Sequence, residues 1–150
     1  MQYKFRTSSI VATLNRAFHE ACSHTAKSTV LVVDSNIDNL DLTAKLLDSY
    51  GCTVITAIDG KAALTLVNEL QPGLIITELM LPKIDGINLS WLLRQSGNFV
   101  PIVALTSLSS DLFGEQALQA GFNEYIEKPF QFEALENVLT RYLNLPPSPF

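Results

Sequence analysis

The chain has 150 residues, 47% of them apolar and 17% charged, with a formal net charge of −5. That composition excludes wholesale disorder, and the length is that of one domain, which buries about 70% of its unfolded-chain surface and needs no disulfide or structural metal. A pI near 4.9 argues against a binder of nucleic-acid backbone, which needs clustered Lys and Arg, and no run approaches the ~20 apolar residues of a membrane span.

Residues 1 to 28 read as a helical extension. Ile10, Leu14, Ala17 or Phe18, and Ala21 or Cys22 recur at helical spacing, with Asn15, Arg16, His19, Glu20 and Ser23 opposite them. Lys4 and Arg6 precede the apolar run from Ile10 to Leu14, but Asn15 and Arg16 break it too early for the h-region of a signal peptide. A cytoplasmic protein with Cys22 and Cys52 as free thiols is the expectation. His19 and His24 are five apart and do not share a helix face as a metal-binding pair would.

From residue 29 to about 144, short apolar runs alternate with amphipathic ones. Thr29 to Val33, Thr53 to Ala57, Leu74 to Thr77, Pro101 to Leu105, and Tyr125 to Ile126 read as five strands. The first, third and fourth are apolar on both faces, as in a parallel sheet covered by helices on each side. A helix carrying Leu40, Ala44 and Leu47 on one face follows the first strand and ends at Gly51. The second, with Ala63, Leu66, Val67 and Leu70, stops before Pro72 and Gly73. The third starts after Asp85 and Gly86, with Asp85 as its N-cap, and groups Ile87, Leu89, Leu92 and Leu93 around Trp91. A weaker fourth lies between Ser110 and Ala120, and a fifth puts Phe132, Leu135, Val138 or Leu139, and Tyr142 on a stripe. Residues 145 to 150 read as a Pro-rich tail.

Five β-α units in succession, joined by right-handed crossovers, predict a three-layer α/β sandwich built on a five-stranded parallel sheet. Function in such sheets collects at the carboxyl ends of the strands. Those ends are Asp34-Ser35, Thr77-Glu78, Thr106-Ser107 and Glu127-Lys128-Pro129-Phe130. Acids, a hydroxyl and an ammonium on one rim suit a cation and a phosphoryl group. Asp59-Gly60 and Asp85-Gly86 read as helix-start and turn residues rather than ligands. The sequence after Asp34 lacks the hydroxyl- and glycine-rich loop that a flavin phosphate would need.

The motifs VLVVDS at 30 to 35, DG at 59 to 60, TELMLPKIDG at 77 to 86, ALTS at 104 to 107 and AGFNEYIEKPF at 120 to 130, in this order and spacing, resemble the receiver domain of two-component response regulators, the CheY-like fold. The resemblance covers about three quarters of the chain and implies the strand order 2-1-3-4-5. It implies that Asp34 is the first acid of a Mg²⁺-binding pair, Thr106 and Lys128 the phosphoryl-binding residues, and Tyr125 the aromatic that turns inward on phosphorylation. It also implies a cis Lys128-Pro129 bond. Two positions depart from the pattern. Glu78 stands four before Pro82, where the family has its phosphoacceptor Asp, and Ser35 stands where the second acid touches the metal.

A hydroxyl is a poor substitute for a carboxylate toward Mg²⁺, so metal binding is expected to be weak or absent and no cofactor is expected. The extra methylene of Glu78 carries its carboxylate about 1.5 Å further, toward the space between Thr106 and Lys128, and removes the in-line geometry of phosphoryl transfer. A partly exposed Glu78 to Lys128 pair is worth roughly 0–1 kcal/mol, far below the ~5.5 kcal/mol that moves a switch from 1:99 to 99:1. The resulting expectation is a non-enzymatic pseudo-receiver that signals through protein contacts, the alternative being a receiver that still takes phosphate through an adapted site. The face of the fourth helix, fifth strand and fifth helix, which the family uses for partners and homodimers, is the expected contact surface, with the N-terminal helix as a second route to a dimer. Neither nucleic acid nor membrane is an expected partner.

Overall fold

A computed structural model of the protein describes residues 3–5 and 28–145. In chain order the elements are β1 (Tyr3–Phe5), β2 (Thr29–Val33), α1 (Ile37–Ser49), β3 (Thr53–Ala57), α2 (Gly60–Leu70), β4 (Leu74–Thr77), α3 (Gly86–Gln95), β5 (Ile102–Thr106), α4 (Ser110–Gln119), β6 (Glu124–Glu127) and α5 (Phe132–Leu143). They form one sheet in the order β1-β3-β2-β4-β5-β6. Counted from β2, the five parallel strands have the order 2-1-3-4-5.

The sixth strand is a departure from the sequence reading. Tyr3–Phe5, inside the segment expected to be helical, pairs antiparallel with β3, Tyr3 opposite Ala57 and Phe5 opposite Ile55. A three-residue strand carries no measurable periodicity, which is why patterning misses it. The amphipathic stretch from Ile10 to Cys22, and residues 146–150 of the tail, lie outside the described residues.

The strands alternate sides with period two. Val30, Val32, Val54, Ile76 and Val103 pack with Leu40, Ala44 and Leu47 of α1 and Leu135, Val138 and Leu139 of α5. Leu31, Val33, Ile55, Ile75 and Ile102 pack on the opposite face with α2, α3 and Ala117 of α4. Leu31, Ile75 and Ile102 are fully buried, as strands covered on both faces require. Phe132, expected on the buried stripe of α5, lies in the first turn of that helix and is exposed instead. Cys52 is buried, and burial together with the nearby Asp48 charge pushes its thiol up to about 12, so it is an inert core thiol.

Two glycines set how closely the loops approach the sheet. A Cβ on Gly60, the first residue of α2, would stand 1.8 Å from the Ile84 carbonyl oxygen, and one on Gly86 would stand 2.5 Å from the Glu78 carbonyl oxygen. Both glycines hold the segment between Glu78 and Gly86 tight against the rim. Gly114 within α4 has no such reason, since the nearest atom to an added Cβ is Ser110 Cβ at 3.6 Å. Urea denaturation is therefore expected to show Gly60→Ala destabilised by about 3 kcal/mol through overpacking against backbone, and Gly114→Ala stabilised by about 0.5–1 kcal/mol through helix propensity.

Candidate functional site

The register brings the strand ends together. Val33 pairs with Thr77, Thr77 with Ala104, and Thr106 with Glu127, so β2, β4, β5 and β6 finish along one rim. The Asp34 amide donates to the Ala57 carbonyl at 3.1 Å, and the Glu78 amide to the Val33 carbonyl at 2.9 Å, extending the strand ladders by one residue. Lys128 does the same on the other side, its amide donating to the Thr106 carbonyl at 2.8 Å before a cis bond to Pro129.

That placement brings Asp34, Glu78 and Lys128 into one cluster. The Lys128 ammonium lies 3.2 Å from Asp34 Oδ2 and 4.0 Å from Glu78 Oε1, with the three side chains 19%, 10% and 15% exposed. Lys128 is thus more closely paired with Asp34 than with Glu78. The two remaining carboxylate oxygens face backbone amides: Asn36 N–H donates to Asp34 Oδ1 at 2.9 Å, and Leu79 N–H to Glu78 Oε2 at 2.8 Å. The longer Glu78 side chain therefore folds back onto the amide that follows it, a course that the extended reading does not anticipate. The hydrogen bond closes an eight-membered ring through the Glu78 side chain, one atom larger than an Asp at this position would close.

Each side chain is positioned by its neighbours. Asn36, which receives no role in the sequence reading, caps α1 by accepting from Asn39 N–H at 2.9 Å, tying Asp34 to the start of that helix. Its signal was present as an Asn before an amphipathic run. Glu78 is fixed at its carbonyl, which accepts from the Thr77 hydroxyl at 2.8 Å, and the following loop closes when Gly86 N–H donates to the Leu79 carbonyl at 2.8 Å. Ser35 is exposed. Thr106 is fully buried, and its hydroxyl accepts from Leu108 N–H at 3.2 Å. The Tyr125 hydroxyl donates to the Leu108 carbonyl at 2.8 Å, with the ring packed against the core, so the aromatic lies inward. Burial, with the charges of Glu127 and Glu78, raises its phenol above the ordinary range.

Asp59 and Asp85 act as the helix caps that the sequence suggests, accepting from Ala62 N–H at 2.7 Å and Asn88 N–H at 2.8 Å. Asp59 does more than cap. Lys83, in a left-handed conformation (φ +69°), places its ammonium 3.5 Å from Asp59 Oδ2, pinning the loop after Glu78 to the start of α2. Among the described residues no group of three or more His, Cys, Asp or Glu side chains is arranged to hold a metal ion.

Residues 30–140 match the family model of the response regulator receiver domain. The chain belongs to that family. It is 42% identical over 106 residues to the uncharacterised transcriptional regulatory protein YrkP of Bacillus subtilis, a match covering 71% of this chain and 45% of that protein. It is 33% identical over 125 residues to an uncharacterised 14.6 kDa protein of Leptolyngbya boryana, covering 81% of this chain and 95% of that one. Among solved structures it is similar to the receiver domain of a Pseudomonas aeruginosa sensor histidine kinase, with a TM-score of 0.71 and 31% identity over 77% of this chain and 97% of that one. That domain carries a magnesium ion in its active-site cleft. The chain spans less than half the length of most curated relatives it matches. Receiver domains are signalling modules of two-component systems, and this chain has their fold.

The Asp59 contacts have a pH signature. Burial raises its carboxyl, but the Ala62 amide and the Lys83 ammonium more than offset this and hold it below the usual carboxylate range. A carboxyl depressed in the folded state contributes stability above its unfolded value of about 3.9, and that contribution is lost as pH falls through the folded value. Asp59→Ala is expected to cost about 1 kcal/mol at pH 7. Asp59→Asn, which keeps an acceptor for Ala62, is expected to lose less stability than wild type between pH 7 and pH 2 in urea titrations.

Proposed function

We propose that the chain is a pseudo-receiver: a signalling module that works through protein contacts, independently of phosphorylation, with Glu78 in the place of the phosphoacceptor Asp. The observation that supports this most is the self-engagement of the rim acids. Two of the four carboxylate oxygens of Asp34 and Glu78 face the Lys128 ammonium, and the other two accept from backbone amides. A hard divalent cation asks for near-octahedral oxygen coordination. To bind here it has to displace an internal ammonium from both acids, with Ser35 supplying only a neutral hydroxyl. The donor set therefore fits Mg²⁺ poorly, and we assign no step to it.

Phosphoryl transfer suffers for a second reason. Positioning of the nucleophile carries most of its catalysis, and the Glu78 carboxylate is held on the Leu79 amide rather than aimed freely at a donor. The competing reading, an active receiver with an adapted Mg²⁺-dependent site, draws on the presence of Thr106, Tyr125 and Lys128 at the rim.

The contact surface in this reading is the face of α4, β6 and α5. Leu112 and Leu118 of α4 are 78% and 69% exposed, while Ala117 is the buried residue of that helix. Large apolar side chains left outward on a helix with so little buried surface suit a protein partner, or a second copy of the chain. A contact through the N-terminal segment is the other route to a dimer. The acidic net charge argues against nucleic acid, and no helix among the described residues is long and apolar enough to cross a membrane.

Incubation with Mg²⁺ and acetyl phosphate or phosphoramidate, read by intact mass, is expected to leave the chain unmodified. A stable phosphoryl gain that disappears in Glu78→Gln supports the active receiver instead. Conversely, Ser35→Asp combined with Glu78→Asp restores the two family acids and is expected to tighten Mg²⁺ binding by at least tenfold, about 1.4 kcal/mol, in calorimetric titration; a folded double variant with unchanged affinity contradicts this account of the rim.

A further inference from the structure

Helix α4 gives little of its own surface to the core. Of its ten residues Ala117 is the buried one, with Phe113 packed against the core at partial exposure. Both ends are instead held by polar side chains from neighbouring elements. At the C-terminal end, Ser90 of α3 donates its hydroxyl to the Ala120 carbonyl at 2.7 Å. One turn later on the same helix face, Arg94 donates to the Gly121 carbonyl from Nε at 3.1 Å and Nη2 at 2.7 Å. At the N-terminal end, β6 supplies the hold. Tyr125 and Glu127 lie two apart and project to the same side of the strand. The Tyr125 hydroxyl donates to the Leu108 carbonyl at 2.8 Å, and the Glu127 carboxylate accepts from Ser110 N–H at 2.8 Å.

We propose that Glu127 is a latch, which together with Tyr125 fixes the β5-α4 loop and the start of α4 on β6, so that the α4 surface is presented in one arrangement whatever the state of the rim. The chemistry suits the task. A carboxylate on the first amide of a helix makes a charge-assisted hydrogen bond and sits at the positive end of the helix dipole. Ser109 meets a neighbouring amide by accepting from Asp111 N–H at 3.1 Å, so the two acceptors divide the first turn between them. Glu127 directly precedes Lys128, which holds Asp34. Two adjacent residues of β6 thus grip the acid cluster on one side and α4 on the other. This latch rests on the phosphorylation-independent reading for its purpose, although its geometry is separate from the rim acids.

Amide hydrogen exchange of the full chain, followed by NMR, tests it. Exposed Glu127 is not part of the core, so its variants are expected to fold. Removing one charge-assisted hold from a helix anchored by so little apolar surface raises local opening: Glu127→Ala is expected to accelerate exchange from Phe113 to Ala117 by about five- to tenfold, with rates in β2 and β4 unchanged. Glu127→Gln, which keeps a carbonyl acceptor without the charge, is expected to fall between wild type and Glu127→Ala, and Tyr125→Phe to add to either. Exchange in α4 that stays within twofold of wild type in both Glu127→Ala and the double variant overturns the latch. Because this readout involves no phosphoryl transfer, the latch and the pseudo-receiver reading fail by different results.

Discussion

The ammonium of Lys128 is the constraint on which the site depends. It reaches the rim as a resident cation, 3.2 Å from Asp34 and 4.0 Å from Glu78, in a setting where two partly buried carboxylates without a counter-charge repel one another and resist desolvation. The backbone supplies the rest of the neutralisation through the Asn36 and Leu79 amides. A cluster built this way is complete within one chain. In the proposed reading its chemistry is that of an internal ion pair, with which an incoming cation or phosphoryl group competes.

The surrounding architecture serves to keep that cluster in register. Parallel strands end on a common rim, and the close approaches at Gly60 and Gly86 press the loop after Glu78 onto the ends of α2 and α3. Asp59 and Lys83 fasten the same loop from behind. On the opposite flank, Tyr125 and Glu127 fasten α4. The site is therefore connected to the outer helices by hydrogen bonds and ion pairs laid over the apolar layer that Val33 and Leu79 share with α2 and α3, while the two cores on either face of the sheet carry the stability.

Most of the fold is legible in the sequence because burial on both faces writes itself into strands such as Thr29–Val33 and Leu74–Thr77, and because Asp59, Asp85, Gly51 and Gly121 punctuate the helices between them. Patterning is blind to β1, whose pairing with β3 is long-range and three residues long. Phe132 misleads because an apolar residue in a first turn is read as core although the helix enters the core only at Leu135. At the site, residue identities place Asp34, Glu78, Thr106, Tyr125 and Lys128 on one rim, whereas the direction of the Glu78 side chain depends on the position of the Leu79 amide and is set by the three-dimensional turn. The roles of Arg94 and Glu127 are equally hidden, since their partners are chiefly backbone atoms that no residue type advertises.

Beryllofluoride, a stable mimic of a phosphoryl group on an acid, tests the self-sufficiency of the cluster most directly. Added with Mg²⁺ to the full chain, it is expected to leave the amide resonances of Leu79, Thr106 and Leu108 and the fluorescence of Trp91 where they are in buffer alone. Saturable shifts at those amides that require both Mg²⁺ and beryllofluoride would mean that the rim acids release Lys128 for an external ligand, and that the internal ion pair does not close the site.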